Sequence, residues 1–391
     1  MWWKILLALL ALFIVVTLIR AIFYKPKKFE GVKIEDADID VDKVAEHLSK
    51  AIQYKTISRS NPDEIDWSEF EKFHDFLDKA YPLIKQNTVK ENVSKASLIY
   101  RWKGKNPDLE PMALLSHQDV VPVAEGTEND WTHEAFSGYN DGEIIWGRGA
   151  LDMKNHLICV MEAVESLMEE GFQPERDVYL CFGHNEEIVC SEESGADEIV
   201  KVLQSRGIHL DSVLDEGSAL LRLDVKGLIH TYIAAVGVAE KGYADMKLTV
   251  HDKGGHTSAA PKHSGMAKLA NTIKDVERHQ FKSHMLPFLT ELFDTVGRKA
   301  TYLGRVVMCN VWLLKPIIKL VLKTIPESAS MVRTIQSISM CEGSPEPNVL
   351  PQRPSITVNF RPLPGDTVDD VEKHIRKAVR YKDLEVERLY S

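Results

Sequence analysis

Four short stretches of this chain bring carboxylates and imidazoles together: His117-Gln-Asp119, the run Gly147-Arg-Gly-Ala-Leu-Asp152-Met-Lys154, His184-Asn-Glu186-Glu187 and Asp215-Glu216-Gly217. Singly, each has an ordinary explanation: a His-x-Asp surface pair, a solvated Glu-Glu face, an acidic turn before glycine. Together they make a donor set of imidazole nitrogen and carboxylate oxygen, which suits zinc, cobalt or manganese. The set contains no nucleophilic Ser or Cys motif and no Gly-rich phosphate loop after a strand. Charge extends the argument to two metals. Two dications about 3.5–4 Å apart repel by roughly 20 kcal/mol even at an effective dielectric near 20, so only clustered anions can hold them. Asp152, Glu187 and Asp215 supply three negative charges, and a bridging hydroxide would be the fourth.

An open α/β sheet would gather these stretches. Pro111 to Ser116 and Asp177 to Phe182 are short apolar runs, the signature of strands buried on both faces, and Ser212 to Leu214 is a third, shorter one. Leu157 to Met168 has helical periodicity, and Gly171 is placed to stop it. Strands separated by helices predict βαβ units and an open, largely parallel sheet. In such a sheet ligands bind at the carboxyl ends of the strands. Three of the four stretches follow a strand directly, and the Asp152 stretch precedes the helix. The α/β domain is expected over residues 41–230. After residue 230 the rhythm changes to strands at 242–250, 334–340, 355–361 and 384–389 with helices at 264–276 and 368–379. That order, β-α-β-β-α-β, predicts a ferredoxin-like α+β domain over 231–391, interrupted by a helical insertion at about 280–330.

The N-terminus differs from the rest. Ile5 to Ile19 is apolar except for Thr17, with Trp2 and Trp3 before it and Tyr24 after it. Length and flanks predict an uncleaved transmembrane anchor over 1–24, then a polar linker over 25–40. The positive flank Arg20, Lys25, Lys27 and Lys28 argues for a cytoplasmic globular part, while the sequon Asn92-Val93-Ser94 allows the opposite side. A net charge of −10 over 391 residues excludes a nucleic-acid partner, whose phosphates call for a basic face. The five cysteines show no CxxC spacing and read as free or buried thiols. Lys315, Lys319 and Lys323 stand four apart on one helical face, either packed on their own domain or touching a membrane surface or lipid-like substrates.

On seven motifs the chain resembles the dinuclear zinc peptidases of the aminoacylase, carboxypeptidase S and succinyl-diaminopimelate desuccinylase family (peptidase family M20). They are Ser116-His-Gln-Asp-Val-Val-Pro122, Trp146-Gly-Arg-Gly-Ala-Leu-Asp-Met-Lys154, Gly183-His-Asn-Glu-Glu187, Val213-Leu-Asp-Glu-Gly217, Gly255-His-Thr-Ser258, Asn348-Val-Leu-Pro351 and Asn359-Phe-Arg-Pro-Leu-Pro-Gly365. They stand in family order within residues 35–391, and the apolar N-terminus and helical insertion make the chain most similar to the carboxypeptidase S and secreted N-acyl-amino-acid hydrolase branch.

The resemblance implies that His117 and Asp215 hold one zinc, Glu187 the other, and that Asp152 bridges both. Asp119 would orient His117, and Glu186 would be the general base for a metal-bound hydroxide attacking a peptide or N-acyl amino-acid amide. Residues 231–391 would be the lid, with His256 stabilising the oxyanion, Arg361 binding the substrate carboxylate and Asn348 a polar contact nearby. A homodimer through the lid and a single-pass protein with its catalytic part on the lumenal or extracellular side are further implications. Family members continue to a late histidine completing the Glu187 zinc; His374 matches no motif, so a fragment or an incomplete second site is expected. Two other readings follow: an inactive membrane-tethered binding module, and a one-zinc hydrolase using His117, Asp152 and Asp215.

Overall fold

The computed structural model describes residues 2–26, 39–188, 194–217 and 219–390. Most of the linker expected at 25–40, and Cys190, lie outside these. Helix α1 (Trp2–Phe23) is apolar around its whole circumference, and nearly all of its side chains are exposed. Two compact units follow from the contacts, residues 33–217 and residues 1–32 with 218–391.

In the first unit, α2 (Val41–Ile52), α3 (Trp67–Ala80) and α4 (Pro82–Asn87) precede strands β1 (Thr88–Val93), β2 (Ser97–Trp102) and β3 (Met112–His117). The short pair β4 (Tyr139–Asn140) and β5 (Ile145–Trp146) leads to α5 (Lys154–Glu169), β6 (Val178–Gly183), α6 (Gly195–Ser205) and β7 (Ser212–Leu214). The sheet order is β1-β2-β6-β3-β7. Strand β3 runs parallel to both β6 and β7, but β1–β2 and β2–β6 are antiparallel. The sheet is therefore mixed, not largely parallel. The turn at residues 94–96 joins β1 and β2 in a hairpin that needs no helical crossover, and the antiparallel meeting of β2 with the distant β6 sets this hairpin against the parallel strands. Nor is β7 a buried strand, since at the sheet edge its Val213 and Leu214 stay exposed.

Alternation along β2 sends Leu98, Tyr100 and Trp102 to one face and Ile99 to the other. On the first face α5 packs Leu157, Ile158, Met161 and Val164, a helical spacing, against Leu180 and Phe182 of β6. Each such burial contributes about 1.5–3 kcal/mol. Ile199 and Leu203 of α6 cover the other face with Ala113, Tyr179 and Cys181. The register sets His117 opposite Gly183, so β3 and β6 end at one level, and Leu114 opposite Leu214.

The second unit holds the hairpin β8 (Ala219–Val225) and β9 (Ile229–Ala235), which the sequence pattern did not reveal, then β10 (Ala244–Thr249), β11 (Gly255–His256) and α7 (Gly265–Arg278). Helices α8 (Pro287–Gly297), α9 (Tyr302–Met308), α10 (Val311–Leu322) and α11 (Pro326–Ser330) fill the expected helical stretch. Strands β12 (Ile335–Glu342), β13 (Val349–Leu350) and β14 (Ser355–Arg361), helix α12 (Val368–Ala378) and β15 (Glu385–Tyr390) complete it. The four-stranded sheet is antiparallel in the order β12-β14-β10-β15, which is ferredoxin-like. Ala244, Met246 and Leu248 of β10 meet Leu269 and Val276 of α7 and Val371 and Ile375 of α12. Helix α1 belongs to this unit: Tyr24 OH donates to Asp294 O at 2.7 Å, and Tyr302 OH to Leu18 O at 3.1 Å.

Gly138 has φ +60°, and a Cβ there would lie 2.0 Å from the Ser49 carbonyl oxygen of α2. Gly142 has φ +93° with open space around it. An alanine at either costs about 1–3 kcal/mol of backbone strain. Only at Gly138 must backbone also move, so Gly138→Ala is expected to cost about 2 kcal/mol more than Gly142→Ala. Urea denaturation of the two variants checks this, and equal losses would contradict the packing of α2 on this loop.

Candidate metal centre

Asp119 is fully buried, two residues beyond the carboxyl end of β3. Its Oδ2 accepts from Ser58 Oγ at 2.6 Å and from the Glu187 N–H at 3.2 Å, and its Oδ1 from the Glu186 N–H at 3.1 Å. Burial opposes its charge, yet His117, Ser58 and the Glu186 amide hold the carboxyl below the usual range. His117 Nδ1 contacts the Asp119 carbonyl oxygen at 2.9 Å and its Oδ1 at 3.4 Å. That arrangement turns Nε2 of the nearly buried ring toward the acidic groups.

Nε2 of His117 lies 3.1 Å from Asp152 Oδ1, 3.7 Å from Glu216 Oε2 and 3.8 Å from Glu186 Oε2. Ligand atoms of His117, Asp152 and Glu216 all lie within 4.8 Å of one another. Burial works against protonation of His117, but Asp119, Glu186 and Glu216 raise the imidazole to about 10. Glu216 is pushed up to about 7: burial and the charges of Glu186, Asp152 and Asp215 oppose its ionisation, while His117 favours it. Burial and Asp152 raise Glu187 too. Crowded carboxylates of this kind, with one oriented imidazole, fit a dication, which favours their charged forms.

The sequence offers two adjacent carboxylates after β7, of which the resemblance implies Asp215 as the ligand. In the structure Asp215 is exposed and its Oδ1 takes the Glu216 N–H at 2.9 Å, while the Glu216 carboxylate joins His117 and Asp152. Consecutive residues leaving a strand point in opposite directions, and only the direction of the loop after β7 chooses between two adjacent carboxylates. His184 of the third stretch is buried, with Nδ1 2.7 Å from Ser97 Oγ, and Asn185 Oδ1 accepts from the Gly195 N–H at 2.7 Å. These two side chains tie down the loop that carries Glu186 and Glu187.

The remaining expected residues lie in the second unit. His256 of β11 pairs with Val349 of β13, and Asn348, just before β13, accepts the Thr257 N–H at 3.0 Å through its carbonyl. The two residues therefore sit on one small ladder. Nδ1 of His256 is 2.8 Å from Ser258 Oγ, leaving Nε2 pointing elsewhere on an exposed side chain. Arg361 ends β14 with its guanidinium 4.5 Å from the centre of the Tyr243 ring, a cation–π arrangement.

Residues 113–329 match the family described as Peptidase family M20/M25/M40. A probable carboxypeptidase S-like protein from Dictyostelium discoideum is 36% identical over 349 residues, covering 88% of this chain and 66% of that protein. An N-fatty-acyl-amino acid synthase/hydrolase from Xenopus tropicalis is 31% identical, with 93% and 70% covered. The chain thus spans about two thirds of the length of these curated relatives. Among solved structures, an M20 family metallo-carboxypeptidase from Sulfolobus solfataricus superposes with a TM-score of 0.55 at 19% identity, covering 88% of this chain and 77% of its own. Human carnosine dipeptidase 1 gives 0.52 at 13% identity, covering 90% and 77%. Both share the fold.

Zinc titration calorimetry separates the adjacent carboxylates. Glu216→Gln is expected to weaken binding by at least the roughly 10-fold that losing an orienting partner costs, Asp119→Asn by roughly 10–100-fold, and Asp215→Asn to leave it unchanged. The reverse ranking of Glu216 and Asp215 would overturn the placement described above.

Proposed function

Because the chain belongs to peptidase family M20/M25/M40, we propose that it hydrolyses the amide bond of small peptides or N-acyl amino acids with zinc as cofactor. The observation that carries this reading is the meeting of His117, Asp152 and Glu216 at the carboxyl ends of parallel strands, with Glu186 beside them. His117, Asp152 and Glu216 would hold one ion, and Glu187 with Asp152 a second. Bound zinc supplies Lewis acidity, lowering the pKa of water toward about 7 and polarising the scissile carbonyl.

The chain's own residues do the rest. Glu186 accepts the proton of the attacking water and passes it to the leaving amine. Asp119 keeps the His117 ring and the 186–187 amides in one arrangement throughout. His256 donates a hydrogen bond to the carbonyl oxygen as its charge grows. Arg361 receives the substrate's carboxylate through its guanidinium fork, and Asn348 provides a polar contact. The three-residue cluster also supports a second reading, a hydrolase with one ion.

We also read α1 as a membrane span. Its 22 residues measure about 33 Å at 1.5 Å each, against a hydrocarbon core of about 30 Å. Trp2, Trp3 and Tyr24 lie where interfacial aromatics belong.

Turnover of N-acyl amino acids and dipeptides by Glu186→Gln is expected to fall about 10²–10⁴-fold with zinc content unchanged. Undiminished turnover would remove Glu186 as base. A zinc-loaded wild-type chain without turnover would favour a binding module. One zinc per active chain would select the one-ion reading, and two would exclude it.

A further inference from the structure

Helix α10 presents four rows of side chains spaced four residues apart. Trp312, Pro316 and Leu320 form one row and Leu313, Ile317 and Val321 the next, all exposed. Trp312 is 57% exposed, Ile317 60% and Leu320 63%, large apolar groups that a water-facing helix does not gather on one side. The third row, Leu314, Ile318 and Leu322, is half-buried against its own unit. The fourth, Lys315, Lys319 and Lys323, runs along the border of the Trp312 row.

The position of α10 beside α1 decides what covers the exposed rows. The Trp312 ring meets Phe13 edge-to-face at 6.1 Å between centroids, and the Arg20 guanidinium lies 6.0 Å from the Trp312 centroid. Asn310 Nδ2 donates to Thr17 O at 3.3 Å, and Arg20 Nη2 to Cys309 O at 3.4 Å. Contact with α1 is therefore made well inside its apolar stretch. Phe13 and Arg20 stand about 15 Å and 5 Å from the Phe23 end at 1.5 Å per residue. An amphipathic helix in the interface sits about 5–10 Å into the headgroup and acyl boundary. If α1 crosses a bilayer, the start of α10 is already at that depth.

We propose that α10 lies in the membrane–water interface beside α1, with the Trp312 and Leu313 rows in the acyl chains of a phospholipid bilayer. The chain then meets the bilayer through two elements, and this rests on the reading of α1 as a span. Of the lysine row, Lys315 and Lys323 lie at headgroup level, where long stems reach water while their methylenes cover apolar surface, and the half-buried Lys319 donates from Nζ to Ser283 O at 3.3 Å. The exposed apolar surface of α10 continues that of α1 through Phe13 and Trp312, so one lipid phase covers both.

The full chain in phosphatidylcholine vesicles tests this. The photoreactive p-benzoylphenylalanine replaces Leu9 of α1, or Ile317 or Leu320 of α10, and adducts are identified by mass spectrometry after irradiation. Lipid adducts at Ile317 and Leu320 in yield comparable to those at Leu9 are the expected result. Lipid adducts at Leu9 alone, with Ile317 and Leu320 unreacted or joined to protein, overturn the proposal and leave α1 as the anchor. Absence of lipid adducts at all three overturns the span reading, and the proposal with it.

Discussion

A buried carboxylate must be surrounded by donors, and Asp119 meets that demand with groups from three separate segments. Ser58 comes from the stretch before α3, His117, with Nδ1 3.4 Å from the carboxylate, from the end of β3, and the amides of Glu186 and Glu187 from the loop after β6. An isolated ionised carboxylate in an apolar interior is far too costly to exist, so these segments hold one relative position or the region does not pack. Asp119 thereby sets the imidazole orientation, through its carbonyl oxygen at 2.9 Å and its Oδ1 at 3.4 Å, and its carboxylate sets the location of the next two acidic residues. Gln118, equally buried, adds bonds to the Ala96 and Phe182 carbonyls and to His74. The end of β3 is thus tied on both sides before any ligand arrives.

What this frame holds is unfavourable by itself. Glu187 and Glu216 both have carboxyls raised by burial and by neighbouring acids, while Asp119, Glu186 and Glu216 favour the protonated form of the His117 imidazole against its burial. The core beneath, with Leu157, Ile158 and Met161 on Leu180 and Phe182, stabilises the arrangement against that repulsion. The acidic rim is half-exposed, while its anchors Asp119, Gln118 and His184 are buried. Rigidity resides beneath the rim and charge upon it, the division that metal sites need.

The second unit follows a different economy. Its sheet closes on an antiparallel ladder with two helices, and its helical stretch is fastened to α1 by Tyr24, Tyr302 and Asn310. An apolar helix that contributes little to any core and a neighbouring helix with an apolar outer face make one continuous apolar surface through Phe13 and Trp312.

The sequence by itself determined the strands and helices whose pattern is strong. Residues 212–214 and 355–361 are strands as expected, and 157–168 and 368–379 fall within one residue of observed helices or inside them. It also determined that acidic and histidine groups follow strand ends, because each strand's apolar run and the polar residues after it are local features. Pairing is not local. The same apolar run serves a parallel or an antiparallel neighbour, so the mixed sheet, the exposed edge strand β7 and the hairpin β8–β9 were decided by which strands meet. Which of Asp215 and Glu216 lies near His117 is of the same kind: adjacent carboxylates are chemically equivalent in sequence, and only the path of the chain after Leu214 turns the Glu216 side chain toward the imidazole. The buried roles of Asp119 and His184 were likewise settled by packing, since a carboxylate or imidazole shows whether it is enclosed only once distant segments have closed around it.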